Sequence, residues 1–190
     1  MKRIKLGEAL KIKRGASLSG KYYSASGKLI RLTLGNFCYP ESGWKVNSSK
    51  DNLYYLGPVK KEYILKKGDI ITPLTEQVRG LLGNTATIPE SEKYIQSGDI
   101  GLVIPNEKIV NKRYLYYLLS SYIVKRQLDS SSQQTKIRHT SPTAIENCYA
   151  YILSIQDQIK LSKFADLICE KIEINNRIND NLSYCNLTIN

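Results

Sequence analysis

The stretch Tyr151–Asn186, YILSIQDQIKLSKFADLICEKIEINNRINDNLSYCN, decides how the rest of the chain is read. It contains no proline and no glycine. Leu161, Ala165, Ile168, Ile172, Asn175, Asn179 and Leu182 follow a four-three spacing, which sets them on one side of a helix. Phe164, Leu167, Ile174 and Ile178 widen the apolar stripe beyond a narrow seam. The spacing predicts a helix from about Ile155 to about Tyr184, roughly 45 Å long at ~1.5 Å per residue. That outreaches a small domain of ~30 Å, so part of the helix is expected to project. A projecting apolar stripe needs a second helix to cover it, and Asn175 and Asn179 on the stripe would set register or pairing state. The alternative at this level is a helix packed wholly on its own domain.

Charge divides the chain in the same place. From Ile155 onward there are four Lys/Arg and five Asp/Glu, a net of −1, whereas residues 1–154 hold 24 Lys/Arg and 12 Asp/Glu, a net of +12. A basic globular part attracts a polyanion, most often nucleic acid. The neutral helix reads as a protein-contact element. The N-terminus MKRIKLGEALKIKRG is basic but has no apolar core of a signal peptide. No run of ~18 apolar residues exists that would read as a membrane span. Cys38, Cys148, Cys169 and Cys185 form no C-x-x-C pair and read as reduced thiols of a cytoplasmic protein. With one histidine and no Cys/His cluster, no zinc site is expected.

Along the chain, Lys5–Leu10 reads as a helical turn and Lys11–Arg14 as a strand ended by Gly15. Gly15–Gly27 is a polar loop with Lys21, Tyr22 and Tyr23, composition suited to phosphate and base contact. Leu29–Leu34, Tyr63–Leu65, Ile70–Thr72, Thr85–Ile88, Ile100–Ile104 and Ile145–Ile152 read as strands. Two Gly-Asp-Ile triplets, at Gly68 and Gly98, are read as repeated turn chemistry. Trp44 reads as a core plug. Lys112–Leu128 reads as one long helix with Leu115, Leu118, Leu119, Tyr122 and Ile123 on its buried face. Ser130–His139 is a loop in which Gln133, Gln134, Lys136, Arg138 and His139 are suited to base edges or phosphates, the alternative being a solvated loop. Short strands before and between helices indicate an α+β domain with a mixed or antiparallel sheet, followed by the long coiled-coil-type helix.

No catalytic constellation is legible. There is no dinucleotide or P-loop glycine pattern, no Asn/Asp-Pro-Pro-aromatic tetrapeptide and no Asp/Glu-x-Lys nuclease triplet. His139 has no carboxylate or cysteine near it in sequence to make a relay, and Asp69 and Asp99 read as turn residues.

The order of these features resembles one half of a type I restriction–modification specificity subunit. The residues that carry the resemblance are Lys5-Leu6-Gly7-Glu8 leading to Arg14-Gly15, Lys67–Ile71, and Gly80…Gly83-Asn84-Thr85-Ala86. They continue with the Tyr114–Leu119 helix, Gln133–Ile137, the strand to Ile152, and Gln158-Ile159 opening the long helix. The resemblance implies a target recognition domain over 1–152 and a spacer or dimerisation helix over 153–190. It implies no catalytic centre and no cofactor on this chain, with S-adenosylmethionine held by partner methyltransferase subunits. Duplex DNA, methyltransferase subunits, restriction subunits and a second half-subunit or copy are the partners it implies. Three features depart from the family pattern: no proline enters the helix, Asp157 stands where Glu is usual, and one recognition domain is present instead of two. The expected DNA contacts are Arg14, Lys21, Arg31, Arg79, Gln133, Gln134, Lys136 and Arg138. A rival reading is an assembly protein whose basic surface is incidental, or a stand-alone DNA-binding module. Salt-dependent, sequence-selective duplex binding separates a reader from a non-reader.

Overall fold

The computed structural model describes residues 1–131 and 138–187, with the side chains of 131, 180 and 182–187 left out. Gln133, Gln134 and Lys136 therefore lie outside the described residues, as does the Leu182 side chain. The chain begins with β1 (Lys2–Lys5), α1 (Leu6–Ala9), β2 (Leu10–Arg14), β3 (Tyr23–Ser24), β4 (Ile30–Arg31) and β5 (Tyr54–Tyr55). It continues through β6 (Ile70–Pro73), β7 (Thr75–Glu76), β8 (Ala86–Thr87), β9 (Tyr94–Ile95) and β10 (Ile100–Pro105). Then come α2 (Lys112–Leu119), α3 (Tyr122–Ser131), β11 (Arg138–His139), α4 (Pro142–Asn147), β12 (Tyr149–Ile152) and α5 (Ile155–Leu187). The result is a mixed α+β fold with a long C-terminal helix.

The main sheet runs β2-β10-β6-β8 and is antiparallel throughout. It is buried on both faces. Ile70 and Val103 belong to a core under the helices with Leu10, Leu115 and Leu119, while Ile71 and Ile100 belong to a second core with Leu32, Leu65 and Ile88. Two-sided burial is why Ile70–Thr72 and Ile100–Val103 read as near-continuous apolar runs. The two Gly-Asp-Ile turns feed the paired strands β6 and β10. At the first, Gly68 has a φ of +85°, and the Asp69 carboxylate accepts the Lys66 amide at 2.8 Å. A smaller mixed sheet, β3-β5-β4-β9, carries the tyrosine-rich N-terminal loop, with β4 and β9 parallel. Trp44 packs edge-on to Tyr94, with ring centroids 4.8 Å apart, against the second core.

Gly15 ends β2 where the backbone passes tightly over the Gln96-Ser97 segment. A Cβ there would lie 2.2 Å from the Ser97 carbonyl oxygen and 2.5 Å from that of Gln96. Gly15→Ala is expected to destabilise the fold by about 1–3 kcal/mol through forced backbone displacement, seen as a lower urea midpoint at unchanged m value.

Four expectations need correction. The Lys112–Leu128 helix is two helices, because the Ser120 hydroxyl bonds back to the carbonyls of Tyr116 and Tyr117, and Ser121 starts a new helix by accepting the Val124 and Lys125 amides. The break turns Tyr122 and Ile123 outward, 74% and 53% exposed, and buries Val124 and Leu128 instead. Tyr63–Leu65 is no strand; Lys61–Tyr63 forms a 3-10 turn and Ile64 makes a lone bridge to Ile95. Leu29–Leu34 is strand only at Ile30–Arg31, after which Thr33 caps a 3-10 turn over Leu34–Asn36. Ile145–Ile152 begins as helix α4, which Ser141 caps and Pro142 opens, both ordinary helix-start signals, and becomes strand only at Tyr149. Strand β1, which sequence reading missed, pairs with β12 across the whole domain and brings the N-terminus beside the entry to α5.

Candidate nucleic-acid interface

The Gln-rich segment leaves α3 at Ser131 and returns as β11, which pairs with β7. Its base is held by ion pairs. Glu76, 2% exposed, accepts the backbone amides of Gly80 and Leu82, both at 3.0 Å, and pairs with Arg138 at 2.9 Å. Arg138 also donates to the Asp129 carboxylate and to its carbonyl, both at 2.6 Å. Arg79 meets the same carboxylate in a two-pronged pair at 3.1 and 2.7 Å. The hydrogen bonds from Arg79 and Arg138 hold the Asp129 carboxyl well below the usual carboxylate range. One buried acid and one surface acid thus tie the 77–83 loop, the end of α3 and β11 into a single frame.

Arg14 joins that frame from the other side. Its guanidinium donates to the carbonyls of Gly98 at 3.0 Å and of Thr140, the residue after β11, at 3.3 Å. Arg14, Arg79 and Arg138 are therefore tied to Asp129 and Thr140, on either side of residues 132–137 in sequence. Arg14 and Arg79 are exposed; Arg138, with a side chain 14% exposed, is an anchor. Beside them opens a cleft of about 430 Å³ between the Thr33–Phe37 turn and the Gln77–Leu81 loop. Tyr39 fixes that loop by donating its hydroxyl to the Arg79 carbonyl at 2.8 Å. Gln77 stands exposed next to Arg79, an amide suited to a base edge that sequence reading passed over.

Lys21 stands apart from the frame, and Arg31 lines the cleft beside it. Lys21 is exposed on the 3-10 turn Gly20–Tyr22, its ammonium 4.8 Å from the centre of the Tyr22 ring. Arg31 departs from the expected surface contact. It is 6% exposed, stacked 3.8 Å over the Tyr23 ring, and donates three hydrogen bonds to the carbonyl and side chain of Asn52. Its Nε and Nη2 donors hold β4 against the adjacent loop.

Helix α5 begins at a cap. Ser154 accepts the Asp157 amide at 3.2 Å and donates its hydroxyl to the Asp157 carboxylate at 2.6 Å, so the helix starts without a proline. Its docked face is polar. Gln158, fully buried, accepts the Asn111 amide at 2.7 Å and donates to the carbonyls of Ile109 and Leu153. One and two turns on, Ser162 is buried and Asp166 accepts Arg113 at 2.6 Å and the Tyr117 hydroxyl at 2.5 Å. Burial alone would raise the Asp166 carboxyl, but these two donors lower it, and burial followed by the Asp166 bond raises the Tyr117 phenol. The apolar stripe faces away: Leu161, Ile168 and Ile172 are 48%, 45% and 54% exposed, and Asn175 and Asn179 are exposed too. Only Ala165 of that set is half-buried against the body. Every described residue from Leu167 to Asn179 is exposed, so the distal helix projects from the domain.

Among the described residues no group of His, Cys, Asp and Glu is placed to hold a metal ion, and no helix is long and apolar enough to cross a membrane. Cys38, Cys148 and Cys169 are free thiols, and burial pushes Cys148 up to about 11.

The fold has solved counterparts. A chain from a study of "complex assembly and conformational transition of the type I R-M system" superposes with a TM-score of 0.65 at 16% identity, over 93% of this chain and 40% of that one. A type I restriction–modification S subunit from M. genitalium gives 0.61 at 10% identity over 90% and 40%. The HsdS subunit from Thermoanaerobacter tengcongensis gives 0.59 at 14% over 91% and 38%. This chain thus spans about two fifths of each. No curated protein matches it significantly. Residues 1–184 match the family described as "Type I restriction modification DNA specificity domain". That match spans the loop frame, the Gln158 lock and most of α5, and with it the chain belongs to the type I restriction modification DNA specificity domain family.

Proposed function

We propose that residues 1 to about 152 read duplex DNA and that 153–190 form the spacer by which this reader is assembled. The observation that carries the reading is the arginine frame at the residues that flank the Gln-rich segment in sequence. Arg14 and Arg79 are exposed there, Arg14 bonded to two carbonyls and Arg79 to Asp129, while Glu76, Asp129 and Arg138 tie together the residues on either side of 132–137. Phosphate contacts by Lys/Arg, Lys21 among them, set register. Gln133, Gln134, Lys136 and Arg79 meet base edges, glutamine suiting adenine and arginine guanine. Arg31 and Arg138 act as ties within the domain. The chain supplies recognition and no chemistry of its own. Methyltransferase subunits carrying S-adenosylmethionine, and through them restriction subunits, would be positioned by it on a split site. The exposed stripe of α5 supports pairing with a second such helix, from another copy or another half-subunit. A symmetric pair would read a two-fold symmetric split site.

Arg79→Ala and Gln134→Ala test the assignment by anisotropy titration against matched and mismatched duplexes. Loss of a base contact is expected to cost about 1–3 kcal/mol and to relax one position of the site. Loss of a phosphate contact weakens all duplexes alike. Unchanged affinity and unchanged preference in both variants would refute the assignment.

A further inference from the structure

We propose that the groove between α3 and the β1–β12 ribbon is a phosphate-binding track for duplex DNA beyond the bases that are read, with Arg3 and Arg126 as its cations. The proposal rests on the reading of the domain as a DNA reader and adds a second surface to it. The groove, about 620 Å³, is lined by Arg3, Arg126, Ser130 and the tyrosines Tyr122, Tyr149 and Tyr151, with no carboxylate among the described residues of its lining.

The arginines single it out. Elsewhere every guanidinium is engaged: Arg14 with two carbonyls, Arg31 with Asn52, and Arg79, Arg113, Arg138 and Arg177 with carboxylates. Arg3 and Arg126 form no hydrogen bond or ion pair from their side chains to any described residue, both are exposed, and both line this one groove. Arg3 stands 4.3 Å over the Tyr149 ring, a contact that uses none of its N–H donors and keeps them for a phosphate, which a guanidinium takes in two-pronged fashion. The tyrosine hydroxyls add donors; Tyr122 is 74% and Tyr151 49% exposed.

The two walls of the groove are tied together, and the groove adjoins the arginine frame. Gln127 bonds the Tyr149 backbone twice, donating to its carbonyl and accepting its amide, both at 2.8 Å, and so locks α3 against β12. Ser130 closes one end, next to Asp129, which holds Arg79 and Arg138. From Ser130 to Tyr122 the helix runs about 12 Å at ~1.5 Å per residue. That matches a few phosphates of one strand at ~3.4 Å of axis each. A repeating row of anions meeting two uncommitted guanidiniums is the chemistry a DNA backbone offers.

The test is an anisotropy titration of the full chain with Arg3→Gln/Arg126→Ala, on a preferred duplex and a scrambled one, over a range of salt. Both residues are exposed, and thermal unfolding verifies that the variant is folded. The proposal expects every duplex to bind more weakly, on the order of tenfold per arginine. The log–log salt slope should be shallower by about 2, with the ratio between the two duplexes unchanged. Arg3→Lys/Arg126→Lys should restore the slope while recovering only part of the affinity. Unchanged affinity and slope, with the wild-type preference intact, would overturn the track and leave the reader standing. A wild type without preference, whose sequence-blind binding still falls in the double variant, would support the track and remove the reader. If the double variant keeps its DNA affinity and loses binding to poly-glutamate, the groove takes an acidic protein segment and the proposal is overturned.

Discussion

Glu76→Ala is expected to lower the unfolding free energy by about 3–5 kcal/mol, the loss that follows when one partner of a buried charge pair is removed. Glu76 is 2% exposed and the Arg138 side chain opposite it 14%. Truncation would leave the amides of Gly80 and Leu82 without this acceptor, and Arg138 without its buried acidic partner though still paired with the Asp129 carboxylate. For a chain of 190 residues this corresponds to a fall in Tm on the order of 10 °C. Glu76→Gln keeps an acceptor oxygen for the two amides and is expected to lose less, about 1–3 kcal/mol. The functional consequence exceeds the thermal one. Because Glu76 ties the 77–83 loop and β11 together, the alanine variant should lose sequence preference at temperatures where it is still folded, while keeping salt-sensitive binding. A variant as stable and as selective as the parent would mean that Arg138 is held without Glu76 and that Glu76 is dispensable to the frame.

The second large effect concerns α5. Ile168→Glu with Ile172→Glu should abolish helix pairing while leaving the domain intact, since both side chains are about half exposed in the single chain. Covering the exposed part of each stabilises a pair by about 1 kcal/mol. Four such side chains in a symmetric pair amount to about a thousandfold in association, before the repulsion of the added charges. Light scattering over a range of concentrations reads this directly. The wild type should shift from dimer to monomer only on strong dilution and the variant should be monomeric throughout, with the same thermal unfolding of the body. A wild type that is monomeric at every concentration, alone and with a methyltransferase subunit, would remove the pairing role of the stripe.

Local signals were legible where local chemistry decides the structure. The absence of Gly and Pro after Tyr151 and the four-three spacing located α5 within a few residues. Ser154 and Asp157 cap its start. The Gly-Asp turns and Gly15 were readable for the same reason. What escaped was long-range. The pairing of Lys2–Lys5 with Tyr149–Ile152 joins segments at opposite ends of the domain, and nothing in KRIK announces its partner. The break at Ser120-Ser121 was hidden because the apolar period continues through it, whereas the serine hydroxyl and not the period decides the backbone there. In the interface, arginines and glutamines could be named by chemistry, but not their commitments. Arg31 proved to be an internal tie and Gln77 an exposed amide. Glu76, the acid on which the frame turns, is one of 17 Asp/Glu with no distinguishing neighbour in sequence. The docked face of α5 was missed because it is polar: Gln158, Ser162 and Asp166 interrupt the apolar pattern that periodicity searches follow.

The most direct test of DNA reading is to enrich a preferred duplex from a randomised pool with this chain, then titrate the enriched and a scrambled duplex at one fixed salt concentration and again at higher salt. The reader predicts a preference of at least about 10³ for the enriched duplex, with both affinities falling steeply as salt rises. Equal affinity for the two duplexes at every salt concentration would contradict it and leave a basic domain that binds DNA without reading it.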